Sequence, residues 1–232
     1  MPSAQPLHPR VSPTALLAGG TGLIGRELAA QWAGPGLLHL LVRSDRPAAS
    51  PLQRVHVVNF AALPPLPAAD LAFCCLGTTI AAAGSQAAFR AVDFDAVVAF
   101  ARAAQRAGVR RLAVVSALGA QPGSSVFYNR VKGEMEAELG ALGFDRLVVA
   151  RPSLLAGDRA ATGQPTRWAE RITLALTVPL SPLIPKAWRP IQAATVARAM
   201  VRALAPAPAQ AQSQAGPSVQ VLKSAALQDL GR

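Results

Sequence analysis

The stretch Ala15-Leu-Leu-Ala-Gly-Gly-Thr-Gly-Leu-Ile-Gly25 runs an apolar strand straight into a glycine-rich turn, and Glu27-Leu-Ala-Ala-Gln-Trp32 carries on as a helix. Gly20, Gly22 and Gly25 stand in G-x-G-x-x-G register. In a strand-turn-helix setting each glycine has a task. The first lets the chain turn where a side chain would clash, the second lets a pyrophosphate approach the backbone, and the third lets the helix pack close to its strand. The peptide groups of Gly19, Gly20, Thr21, Gly22, Leu23, Ile24 and Gly25 would then meet a phosphate at the positive end of the helix dipole. This predicts a doubly wound α/β domain, a mainly parallel sheet with helices on both faces, and a dinucleotide site at the turn.

Further strands follow at intervals that suit such a sheet. Leu37–Val42 is short, apolar and bounded by turn residues, and Arg43-Ser44-Asp45 comes directly after it. The end of this strand reaches the adenosine ribose, where an acid accepts hydrogen bonds from the 2′-hydroxyl of NAD and a cation accommodates the 2′-phosphate of NADP. Arginine's planar fork suits a phosphate, so Arg43 and its neighbour Ser44 favour NADP(H) over NAD(H). Asp45 is the competing residue, since a two-residue shift of the turn would place an acid at the ribose. Val55–Val58 is a third strand that brings Asn59 and Phe60 toward the adenine. Leu71–Leu76 is a fourth, ended by Gly77-Thr-Thr79, so that Leu76, Gly77 and Thr78 face the cofactor. A long helix is expected from Ala87 to Ala107. Asp93 and Asp95 on it are two residues apart, point in different directions and form no carboxylate dyad.

Arg111–Ser116 is a fifth strand with a serine at its carboxyl end, where ligands bind in open parallel sheets. The segment Ser124–Leu139 reads as a helix on which Tyr128 and Lys132 are i and i+4, on one face. An ammonium one turn from a phenol of ordinary pKa about 10 favours the phenolate and fits it for acid–base work near neutral pH. Ser116 would bond the substrate oxygen as charge develops there. The catalytic expectation is therefore Ser116, Tyr128 and Lys132.

These residues resemble an atypical short-chain dehydrogenase/reductase, an NAD(P)-binding family related to epimerases, and most closely its Tat-interacting-protein group of oxidoreductase-like proteins. Beyond the glycine turn the resemblance rests on Phe73-Cys-Cys-Leu-Gly-Thr-Thr79, on Tyr128-Asn-Arg-Val-Lys-Gly-Glu134, and on Phe144-Asp-Arg146 leading into Arg151-Pro-Ser153. It covers most of Ala15 to Met200. It implies a Rossmann fold, NADP(H) at the glycine turn and Arg43, Lys132 also holding the nicotinamide ribose, and Arg151 and Pro152 starting the loop against the nicotinamide. The family's relay asparagine has no counterpart evident on the Ala87–Ala107 helix. The group also includes regulatory binding proteins, so an NADP(H)-binding protein with little or no turnover is the alternative function.

Composition narrows the remaining classes. The formal charge of +11 comes largely from arginines scattered along the chain, with Lys132, Lys186 and Lys223 the lysines, which describes a solvated surface better than a nucleic-acid stripe. No apolar run reaches the roughly 20 residues that span a bilayer. Cys74 and Cys75 are adjacent on a strand, point to opposite faces and offer neither a disulfide nor metal spacing. They read as reduced core residues in the cytoplasm.

The organisation expected is a loose tail over 1–13, one domain over 14–204, a linker over 205–217, and a strand and helical turn over 218–232 that return to the body. Within the domain, 152–191 forms the substrate side. Its uncharged stretch Ile172–Ile184 lies between basic residues and has three uses open to it: an apolar substrate pocket, a partner or homodimer surface, or a membrane interface.

Overall fold

The computed structural model describes residues 13–32, 36–156, 185, 188–205 and 217–232. The tail, the linker and nearly all of the substrate-side segment, Ile172–Ile184 included, lie outside the described residues.

Seven parallel strands form one sheet in the order β3-β2-β1-β4-β5-β6-β9. They are β1 (Ala15–Ala18), β2 (Leu38–Val42), β3 (Gln53–Val57), β4 (Leu71–Cys74), β5 (Arg111–Val115), β6 (Arg146–Arg151) and β9 (Ser218–Lys223). A two-stranded parallel pair, β7 (Leu155–Ala156) with β8 (Ile191–Gln192), stands apart. β1 and β4, at the centre, are apolar at every position because both sheet faces are covered there. On β1, Ala15 and Leu17 face one core and Leu16 and Ala18 the other, all fully buried.

The first core is closed by α1 (Leu23–Gln31), α6 (Ala193–Leu204) and α7 (Ser224–Leu230), through Leu28, Val196, Met200 and Leu227. The second is closed by α4 (Ala96–Arg106) and α5 (Phe127–Ala141), through Val97, Phe100, Met135 and Leu139. The expected C-terminal strand is β9, in register with β6 from Arg146↔Ser218 to Arg151↔Lys223.

Two elements depart from expectation. The helix expected over Ala87–Ala107 is three pieces: after the short α2 (Ile80–Ala83) come α3 (Gln86–Arg90), a π-helical turn over Ala91–Asp95, and then α4. The wider π turn rotates the residues on it relative to a regular helix, and it turns Asp93 inward to 1 % exposure. The helix expected from Ser124 starts at Phe127, because Ser124 serves the preceding turn, its hydroxyl accepting from Val126 N–H at 3.2 Å.

Strand order reverses between β1 and β4, so the crevice beyond their carboxyl ends is the topological switch point of the sheet. The glycine turn after β1 and the Cys75–Thr78 segment after β4 form its two lips. They are tied by Cys75 N–H donating to Ala18 O at 2.8 Å.

Candidate functional site

The glycine turn is built on a different register from the one read in the sequence. Gly19, not Gly20, carries the positive φ of +81°, and a Cβ on it would lie 2.4 Å from the Cys75 carbonyl carbon. A Cβ on Gly25 would lie 2.1 Å from Gly19 O, whereas one on Gly20 would meet only ordinary contacts at 3.5 Å and beyond. The glycines the backbone requires are therefore Gly19 and Gly25; a Cβ on Gly22, like one on Gly20, would meet only ordinary contacts from 3.5 Å. Gly22 N–H donates to Gly19 O at 3.1 Å and closes the turn.

Gly22 caps α1 with no side-chain hydrogen bond, and the first turn of α1 holds no acid. The first helical N–H groups, which no helix satisfies internally, face the crevice with no built-in anion. Leu23 and Ile24 lend their backbone here, Ile24 being buried in the core beneath and Leu23 packed against it. A pyrophosphate fits this geometry.

Above the turn lies a cavity of about 400 Å³ walled by Gly19, Thr21 and Gly22 on one lip and by Cys75, Leu76, Gly77 and Thr78 on the other. Arg43 at the end of β2 and Phe60 after β3 close its far side, with small residues of α2 to α4 over the top. Of the residues expected near the adenosine, Arg43 and Phe60 line this wall. Ser44 is exposed outside it, and Asn59 is exposed with its Oδ1 accepting from Ala61 N–H at 3.0 Å. Asp45 is occupied locally as well, accepting from Arg46 N–H at 2.9 Å.

Lys132 is buried behind Gly77. Its Nζ lies 2.7 Å from Asp93 Oδ1, with the two side chains 4 % and 1 % exposed. Asp93 Oδ2 accepts from Thr78 N–H at 2.8 Å, so one carboxylate joins the π turn, the β4 lip and α5. Burial alone would pull the Lys132 pKa down; the Asp93 carboxylate first, then Tyr128, outweigh it and the ammonium is held charged above its usual range. The Lys132–Asp93 contact is a close, charge-assisted pair. A Cβ on Gly77 would sit 3.4 Å from Asp93 Oδ1 and 3.8 Å from Lys132 Nζ, so the ion pair lies directly behind this cavity-lining glycine. Tyr128 lies one turn before Lys132 on α5, its ring 5.3 Å from that of the buried Phe89. Arg90 pairs with Glu134 at 2.5 Å and Arg102 with Glu138 at 2.5 Å, holding α5 against α3 and α4.

Ser116 follows β5 directly. Its hydroxyl, on a residue 4 % exposed, donates to Glu136 Oε1. Glu136 follows Tyr128 by two turns of α5, about 12 Å of helix rise. The same carboxylate is gripped by Arg151, through Nε at 2.9 Å and through Nη2, and that hydrogen bonding raises the guanidinium pKa. Ser116 and Arg151, expected at the substrate oxygen and beside the nicotinamide, thus share Glu136 as their hydrogen-bond partner. Pro152 is buried, its carbonyl accepting from Leu118 N–H at 3.2 Å.

Asp93 and Glu136 are the residues sequence reasoning missed. Glu136 had a signal, its i+4 spacing from Lys132. Asp93 had none, since its inward turn depends on the π geometry. Both cysteines are free thiols, and burial pushes Cys74 up to about 12 and Cys75 upward as well. Among the described residues no cluster of three metal-ligating side chains occurs, and no helix is long and apolar enough to cross a membrane.

No protein-family model matches the chain. Among curated proteins it is 34 % identical over 165 residues to "Protein FMP52, mitochondrial" of Coccidioides immitis, spanning 63 % of this chain and 67 % of that one. It is 37 % identical over 151 residues to the protein of the same name from Eremothecium gossypii, spanning 62 % and 67 %. To "Protein HTATIP2" of Rattus norvegicus it is 34 % identical over 166 residues, spanning 70 % and 62 %.

Among solved structures, MoeE5 in complex with UDP-glucose and NAD superposes with a TM-score of 0.63 at 16 % identity, over 90 % of this chain and 75 % of that one. The ADP-L-glycero-D-manno-heptose-6-epimerase of Helicobacter pylori gives 0.64 at 16 %, over 91 % and 77 %. These two likenesses concern the fold. The cytoplasmic expectation drawn from the cysteines is overturned by the fungal relatives, which are named mitochondrial; a free thiol buried from solvent says nothing of its compartment. At this identity and coverage the chain belongs to the family of the FMP52 and HTATIP2 proteins, an atypical short-chain dehydrogenase/reductase group with a Rossmann fold.

Proposed function

We propose that this chain is an NADP(H)-dependent oxidoreductase that moves a hydride between the nicotinamide and a carbonyl or alcohol carbon of an apolar small molecule. The observation that carries the reading is the place of Gly77, a glycine of the switch-point cavity with the buried Lys132–Asp93 pair directly behind it and Tyr128 one helical turn before Lys132 on α5. Bound NADP(H) supplies or accepts the hydride. Gly19, Gly22 and Gly25 with the open end of α1 hold its pyrophosphate, and the place of Arg43 in the cavity wall supports a 2′-phosphate. Lys132, with Asp93 Oδ1 beside it, holds ribose hydroxyls. Tyr128 gives its phenolic proton to the carbonyl oxygen as that becomes an alcohol, and takes one back in the reverse direction. Ser116 is left out of this set. The names of the fungal relatives support a mitochondrial setting.

A second reading, an NADP(H)-binding regulatory protein with little turnover, draws support from the commitment of the Ser116 proton to Glu136. Fluorescence titration with NADPH and with NADH, on wild type and Tyr128→Phe, separates them. The proposed enzyme binds NADPH more tightly than NADH, and Tyr128→Phe keeps that affinity while turnover falls by about 10²–10⁴-fold. Binding without turnover in wild type against a panel of apolar aldehydes and ketones favours the regulatory reading. Binding of neither nucleotide sinks both.

A further inference from the structure

The two edges of the sheet are unlike. β3 ends it on one side with Arg54 exposed and His56 half-buried, and a strand carrying such groups resists pairing with a further strand. β9 ends it on the other side. Its one charge is Lys223, its last residue, and its register with β6 runs unbroken from Ser218 to Lys223 with no proline or bulge. Val219 and Val221 are 57 % and 41 % exposed. Their β6 partners are Leu147 and Val149 of the second core, so the two valines carry that apolar face past the last strand.

Ser218 N–H donates to Asp145 O at 3.1 Å, toward β6. Successive peptide groups of a strand point to alternate sides, so Gln220 and Leu222 also bond toward β6. The N–H and C=O of Val219, Val221 and Lys223 therefore point outward, and no described strand pairs with them.

We infer that the outer edge of β9 pairs antiparallel with β9 of a second copy of this chain, about a two-fold axis at Gln220, and joins the two sheets into one. The strand is self-complementary about that residue. Val219 lies opposite Val221 of the second copy, and each such pair exchanges both backbone hydrogen bonds through groups that already point outward. Both valine pairs fall on one face, where cross-strand β-branched pairs stabilise the ladder. A one-residue slip would set outward groups against inward ones and lose both gains. The charges agree with the same register. Lys223 falls opposite Pro217, so the two lysines stand about 20 Å apart along the ladder. Each comes instead to the end of the other strand, where the Asp145 side chain is 50 % exposed. Arg146, bonded to Gln220 Oε1 at 3.0 Å, stays one strand back from the axis in each copy. A foreign strand would have to reproduce the Val-Gln-Val pattern that a second copy supplies.

A single ladder is a small interface, so the association is weak and depends on concentration. Sedimentation equilibrium of the full chain, from the micromolar to the sub-millimolar range, should show wild type passing from the mass of one chain to that of two. Val221→Pro removes an outward N–H and leaves the bonds to β6 in place, so it should stay at the mass of one chain. The double variant Val219→Lys with Val221→Lys should do the same, and it serves if the proline variant departs from the circular dichroism of wild type. Gln220→Cys sets two thiols opposite one another across the axis, within the span of a disulfide. Mild oxidation should join its copies, whereas Val219→Cys, which faces residue 221, stays unjoined. A wild type that remains a single chain throughout, a dimer that persists in both valine variants, or a dimer in which Gln220→Cys forms no cross-link overturns the inference. None of these readings involves nucleotide, so the oxidoreductase reading stands or falls apart from them.

Discussion

Gly25 and Gly77 are both bare, for opposite reasons. At Gly25 a methyl group would collide with backbone, 2.1 Å from Gly19 O, and nothing there can move aside cheaply. Gly25→Ala should therefore lose about 1–3 kcal/mol of stability through overpacking and lose nucleotide binding with it, read by urea unfolding and fluorescence titration. At Gly77 the nearest atoms stand 3.4 and 3.8 Å away, ordinary contact, so a methyl group fits. Gly77→Ala should keep the unfolding midpoint of wild type and still weaken NADPH binding, because it puts a methyl group between the cavity and the Lys132–Asp93 pair. A Gly77→Ala protein that binds as wild type does would show that the nucleotide never reaches the pair.

At the level of elements, the β2–β3 edge carries a pH-sensitive contact. His39 Nδ1 and His56 Nε2 meet at 2.8 Å, which requires at least one of the rings to be neutral. Burial first, then the charges of His56 and Arg54, lower the His39 pKa from 6.5. A lowered folded-state value means that the unfolded chain binds the proton more readily. The contribution is present above pH 6.5 and is lost as pH falls through the folded value. The urea midpoint should drop between about pH 7 and pH 5, and by less in His39→Gln, which has no such proton to gain. An equal drop in both proteins would remove His39 from the account.

Across the whole molecule, the two cores are of different make. The α4–α5 face carries the site and its buried charges. The opposite face is closed late in the sequence, by β9 and α7 after the linker. Arg198 Nε donates to Gly231 O at 2.7 Å, fastening the end of α7 to α6. Leu227, fully buried there, is far from the crevice in this topology. Leu227→Ala should cost about 2–5 kcal/mol in urea unfolding while the NADPH affinity of the folded protein stays as in wild type. A parallel loss of affinity in folded protein would mean that the C-terminal segment reaches the site.

What the sequence by itself determined is local in origin. Apolar runs of four to six residues, the glycine turn and the i, i+4 pair of Tyr128 and Lys132 each depend on backbone geometry within a few residues. A parallel sheet and a site beyond its strand ends, at the glycine turn and Gly77, followed from them, and the strand order came from the fold. Only the tertiary structure decided which glycine makes the turn, since the clash at Gly19 is with Cys75, just past β4. It also decided which polar groups meet. Asp93 reaches Lys132 because a π turn rotates it inward, and Ser116 turns to Glu136 because β5, β6 and α5 converge on one buried carboxylate. A buried charge needs a partner wherever in the chain that partner lies, and that demand is met by packing between elements distant in sequence.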